Sequence, residues 1–163
     1  MEANIPAFLL GQILPKMEKF CAFQERCVYD VKMKLMRMNV EKSQWDSVIK
    51  YLQENNFLNE ERFAELFVRS KIRQKGWGPV KIKMELLQKQ ISPALIEQYL
   101  SAFECDNQQT LLHDWLMKKY ASVQNEEVQK QREKLIRFGI SKGFESGMVF
   151  SETDKIIKAH SKK

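Results

Sequence analysis

Three stretches of this 163-residue chain repeat one another at a spacing near fifty residues, and this constrains the fold more than any other feature. Lys34-Leu35-Met36 is followed by Val40, Glu85-Leu86-Leu87 by Ile91, and Lys134-Leu135-Ile136 by Ile140. In each case the apolar residue stands five positions after its leucine, and the last two stretches share a closing Ile-Ser pair. A period of this length is the mark of tandem supersecondary units, each too small to bury its own apolar face alone.

The residues around each stretch have helical spacing. Ser92 and Pro93 suit a helix cap and first position, and Ile96, Tyr99, Leu100 and Phe103 follow at i, i+3, i+4 and i+7. Trp45, Val48, Ile49 and Leu52 repeat that pattern after Ser43, which is read as the matching cap. In the middle copy an opening helix follows the capping residue Asn59 and buries Phe63, Ala64, Phe67, Val68 and Ile72. It stops at Gly76, and Gly78-Pro79 starts the next helix, which turns Ile82, Leu86 and Leu87 inward. Leu111, Leu112, Trp115 and Leu116 open the third copy, whose closing helix near Phe144–Phe150 keeps the pattern poorly.

The expected fold is therefore all-α: three tandem three-helix repeats stacked into an elongated, curved array. Residues 17–58, 59–104 and 105–158 form the repeats, residues 1–16 a frayed N-terminal segment and residues 159–163 a basic tail. Only six glycines and four prolines interrupt the chain, as long helices require.

Function classes narrow quickly. No nucleophile-elbow, phosphate-loop or metal-binding motif is present, so the chain reads as a binding protein rather than an enzyme, with no cofactor. Cys21, Cys27 and Cys105 form no CxxC pair and read as ordinary small hydrophobes, and His113 reads as a surface or boundary histidine. No apolar run is long enough for a membrane span. The expectation is a cytoplasmic monomer.

Charge places the binding surface. Residues 1–60 hold eight basic and eight acidic side chains, whereas residues 61–103 hold eight basic against four acidic. Within Arg69, Lys71, Arg73, Lys75, Lys81 and Lys83 no acid intervenes, and Trp77 lies among them between two glycines. Like charges on neighbouring turns repel until an anionic partner relieves them. An aromatic side chain beside cations suits nucleic-acid bases or a protein partner. Simple spacing leaves Trp77 exposed, although it could also fold back onto the core. A second cluster, Lys130, Arg132, Lys134 and Arg137, occupies the equivalent helix of the third copy but is diluted by Glu126, Glu127 and Glu133.

The run Phe57-Leu58-Asn59-Glu60-Glu61-Arg62-Phe63-Ala64, then Lys75-Gly76-Trp77-Gly78-Pro79, Ile82, Glu85-Leu86 and Gln90-Ile91-Ser92, resembles the central signature of the RecX family of recombination regulators. The likeness is strong over residues 48–103, and the order of weaker units extends it to about residues 18–158. Asn56 and Gln90 stand where that family usually has glycine. The resemblance implies a regulator that binds the RecA recombinase filament on single-stranded DNA and restrains its ATPase, strand-exchange and coprotease activities. Direct DNA binding without a recombinase is the alternative.

Overall fold

The computed structural model describes residues 9–104 and 108–160; Cys105 and the side chain of Phe103 lie outside the described residues. Among these the regular structure is helical throughout. The helices are α1 (Leu14–Phe23), α2 (Val28–Arg37), α3 (Lys42–Glu54), α4 (Glu60–Ser70), α5 (Pro79–Gln88), α6 (Pro93–Glu104), α7 (Gln108–Ala121), α8 (Val128–Lys142) and α9 (Ser146–His160). π-helical turns at Leu9–Ile13 and Lys71–Lys75 precede α1 and extend α4. The chain divides into two compact units, Met1–Leu66 with Lys89–Ile91, and Phe67–Gln88 with Ser92–Lys163.

In the first unit Met17, Val31, Leu35, Val48 and Leu52 are fully enclosed. Residues 9–16 are not frayed: they continue the helical path into α1, and Ile13 and Leu14 are buried in this core. Residues 1–8 lie outside the described part. Burial of that apolar turn outweighs the usual tendency of termini to loosen. Helix α3 starts one residue before Ser43, with Glu41 at its cap position and the Ser43 hydroxyl directed to the Glu41 carboxylate at 3.3 Å. Arg62 explains its place in the central motif structurally, donating to Glu25 at 2.9 Å and to the Asn56 side chain at 2.6 Å. Cys21 and Cys27 are buried, and desolvation raises their thiols to about 11 and about 12, which leaves them unreactive.

The turns follow a rule that sequence alone obscured. Asn39, Asn56 and Gln90 each take a positive φ, 55°, 60° and 60°, the left-handed geometry that normally recruits glycine. Asn39 and Gln90 close α2 and α5 and are followed by the buried Val40 and Ile91. The corresponding residue after α8 is Gly143, at φ 90°, followed by buried Phe144. The third copy is thus offset by one helical turn from the Leu135–Ile140 alignment. Leu135 matches Val31 and Ile82, all fully buried, while Gly139 occupies the place of Leu35 and Leu86. A side chain at Gly139 would meet Val149 of α9, so the missing leucine is replaced by closer approach of a helix. Ile140 consequently faces outward, 46% exposed, and α9 runs well past Phe150.

In the second unit Asn59's counterpart at α6 behaves as its sequence suggests, Ser92 Oγ accepting from Leu95 N at 3.3 Å. Asn59 itself, in the first unit, accepts from Arg62 N at 2.9 Å. Leu87 does not point inward; it is 45% exposed, because the core stripe of α5 is carried by Pro79, Ile82 and Leu86. Ile72 and Phe67 are only half-buried. Leu86→Ala should lower stability by roughly 2–5 kcal/mol, since a fully enclosed leucine leaves both lost burial and a cavity. Urea denaturation followed by far-UV circular dichroism measures it.

A buried carboxylate joins α7 to α9. Glu152 receives His113 Nδ1 at 2.7 Å, Lys155 at 3.1 Å and Gln109 at 3.2 Å. Burial pushes its acidity down, but these three partners outweigh burial and hold its pKa below the ordinary value of 4.5. A depressed folded-state carboxylate contributes stability above the unfolded value that is lost as pH falls through the folded one. Relative to Glu152→Gln, the native chain should therefore lose stability more steeply below about pH 4.5, the ordinary carboxylate value, as urea midpoints measured down the acid range will register.

Candidate nucleic-acid and partner interface

The interface is built in the second unit, around two tryptophans. Helix α4 ends through the π turn Lys71–Lys75, and Gly76, at φ 61°, reverses the chain. A side chain on Gly76 would overlap the Trp115 indole, so glycine is needed there both for conformation and for space. Gly78 lies against the Gly143 carbonyl with equally little room. Gly78 N donates to Lys142 O at 2.8 Å and Val80 N to Gly143 O at 3.0 Å. These bonds occupy carbonyls that the end of α8 leaves open. Pro79 needs no such bond and starts α5. The Gly-Trp-Gly-Pro run is thus a clasp on the C-terminus of α8.

That clasp gathers lysines over aromatic faces. Lys71 Nζ lies 5.0 Å and Lys81 Nζ 4.6 Å from the Trp77 ring centre. Lys142 Nζ sits 4.0 Å and Lys118 Nζ 4.9 Å from the Trp115 ring. Lys142 also donates to Lys75 O at 2.8 Å, and Lys81 to Ser141 O at 3.2 Å. Burial first, then the charges of Lys81 and Lys75, lowers the pKa of Lys142. Crowded, partly desolvated cations of one sign form a strong anion-attracting field.

The expected side chains separate into two groups. Lys71, Lys75, Trp77 and Lys81 come together in the clasp; Trp77 is half-buried between its lysines instead of projecting freely, because the flanking glycines draw the loop onto α8. Arg69, Arg73 and Lys83 remain on exposed faces beside it, Lys83 3.7 Å from Glu97. The α8 cluster is largely neutralised. Arg132 pairs with Asp154 at 2.8 Å, Lys134 with Glu126 at 2.7 Å and Lys130 with Glu127 at 3.6 Å, while Arg137 is exposed. Asp154 holds the Arg132 guanidinium pKa up, and Arg132 holds that carboxyl down. Lys118, Lys142 and Trp115 were not anticipated. The Trp115–Lys118 spacing on one helix face was the available signal; nothing local marked Lys142.

No described helix is long and apolar enough to cross a membrane. Family models of RecX match the chain twice, as its second three-helix domain over residues 59–100 and its third over residues 106–151. The Regulatory protein RecX of Chlorobium phaeobacteroides is 32% identical over 126 residues, covering 77% of this chain and 81% of the relative. That of Clostridium tetani is 33% identical over 135 residues, covering 82% of this chain. The chain spans only 60% of the C. tetani relative and 59% of the one from Clostridium beijerinckii. The crystal structure of RecX from Lactobacillus salivarius superposes with a TM-score of 0.72 at 20% identity, covering 92% of this chain and 95% of that one, which supports the fold. Another RecX crystal structure gives a TM-score of 0.76 at 23% identity, over 86% of this chain and 70% of that one. With these matches, and with the Lys75–Pro79 part of its central signature forming the clasp, the chain belongs to the RecX family.

Proposed function

We propose that the chain is a regulator that binds the RecA recombinase filament on single-stranded DNA and restrains its ATPase, strand-exchange and coprotease activities. The observation that carries this reading is the clasp, where a motif specific to the family holds lysines against two indoles. Such a surface attracts both acidic protein and phosphate. A helical repeat can touch neighbouring protomers, so modest single contacts accumulate into useful affinity.

The test is RecA ATPase on saturating single-stranded DNA with substoichiometric amounts of the chain. Restraint well below one chain per recombinase is the expected result. Restraint only at amounts that coat the free DNA would overturn the filament reading. A second reading, direct DNA binding, is favoured by the two lysines over Trp77, an arrangement suited to stacking a base beside its phosphate. Under that reading affinity for naked DNA falls steeply with added salt.

A further inference from the structure

The first compact unit carries an apolar groove that the clasp does not involve. Lys16, Lys19, Phe20 and Phe23 fall at i, i+3, i+4 and i+7 on α1, a face that adjoins buried Met17 and Cys21 through Phe20, which packs against their core. They line a cavity of about 550 Å³ together with Arg26, Lys34 and Met38. Its apolar surface comes from Phe20, Phe23 and Met38, and four cations stand around it. Phe23 is 85% exposed, the most open large hydrophobic residue among the described residues. The Arg26 guanidinium lies 4.1 Å from the Phe20 ring centre, and Lys34 Nζ 5.7 Å from it.

The acids nearby in sequence are committed elsewhere. Glu18 accepts from the Tyr51 hydroxyl at 2.7 Å, Glu25 is paired with Arg62 at 2.9 Å, and Asp30 with Lys89 at 2.6 Å. Among the described residues, none of the four groove cations has a carboxylate partner. Fold-internal bonds have thus absorbed the negative charge and left the positive charge around exposed aromatic surface. The complementary ligand is anionic and repeatedly charged, and it offers flat apolar groups.

We propose that this groove is a binding site for single-stranded nucleic acid, separate from the clasp. Phe23 supplies a stacking face for one base, and the Arg26 guanidinium, held over Phe20 at 4.1 Å, supplies another. Lys16, Lys19 and Lys34 meet the phosphates. An extended acidic peptide fits less well, because its amide groups would lie against an apolar floor with nothing to bond them. A duplex hides the base faces that the floor would seat. The proposal goes beyond the filament reading and does not require it.

The test uses the full chain carrying Trp77→Ala, which removes the indole of the clasp, and fluorescence anisotropy of a labelled oligothymidylate without recombinase. Adding Phe23→Ala should weaken binding roughly 5-fold or more, the loss of one stacked base. Binding of an abasic strand of equal length should be unchanged by that substitution. Lys16→Glu with Lys19→Glu should weaken both strands and flatten the salt dependence. Phe23 is so exposed that its removal leaves the core intact. Unchanged affinity in Phe23→Ala would overturn the proposal, as would equal binding of abasic and normal strands. Displacement of the strand by polyglutamate or duplex as readily as by unlabelled oligothymidylate would do the same. None of these outcomes alters the ATPase result, so the two readings fail separately.

Discussion

Gly76→Val should destabilise the second compact unit by about 3 kcal/mol or more. Two costs act together. A β-branched residue at φ 61° is strained, and its side chain would overlap the indole of Trp115. Relief would require Trp115 to swing away from Lys142 and Lys118, which lie over its ring. Urea unfolding followed by tryptophan fluorescence should therefore show a lower midpoint and an altered native spectrum. Gly76→Asn separates the two costs, since asparagine tolerates the left-handed region yet still carries a Cβ. A native midpoint in both variants would mean that the glycine is not required by its neighbours.

Under the proposed function, Lys71→Glu with Lys81→Glu should reduce restraint of RecA, and affinity for single-stranded DNA, by about 100-fold, on the order of 1–2 kcal/mol for each cation. Each lysine lies within about 5 Å of the Trp77 ring, so reversal removes two favourable contacts and places carboxylates against the negative face of the indole. Far-UV circular dichroism should be unchanged, because neither lysine belongs to the buried core and, among the described residues, the Lys81 bond to Ser141 O is the one hydrogen bond that the reversal removes. If phosphate contacts are lost, the slope of log affinity against log salt should shrink by roughly 0.7 per contact. Full potency with an unchanged slope would remove the clasp from the mechanism.

The sequence was most informative where the required residue types are rare. Gly76, Gly78 and Pro79 could be placed correctly because few residues reverse a chain or open a helix. Asn59 and Ser92 were legible as caps for the same reason. The third repeat was misaligned by one turn because helical periodicity does not distinguish i from i+4. Ile140 looked like Val40 and Ile91, whereas the matching residue is Phe144, and a glycine stands where leucine was expected. The clasp was half legible: its first lysines and Trp77 are contiguous, but Lys142 arrives from 67 residues beyond Lys75 through a backbone contact that no pattern announces. The dilution of the α8 cations was legible in Glu126 and Glu127, which pair with Lys134 and Lys130, whereas Asp154, the partner of Arg132, comes from α9 and was not.

The π turn at Lys71–Lys75 has a consequence for how this segment can change. Trp77 N reaches back to Lys71 O at 3.1 Å, and Gly76 N to Ile72 O at 3.0 Å. A π turn holds about one residue more than an α turn, and each residue advances a helix by about 100°. Deleting one residue between positions 71 and 75 would let the segment close as an ordinary α turn, with the helix before it in nearly the same phase. Substitutions in this stretch can be absorbed, since none of its side chains is fully buried.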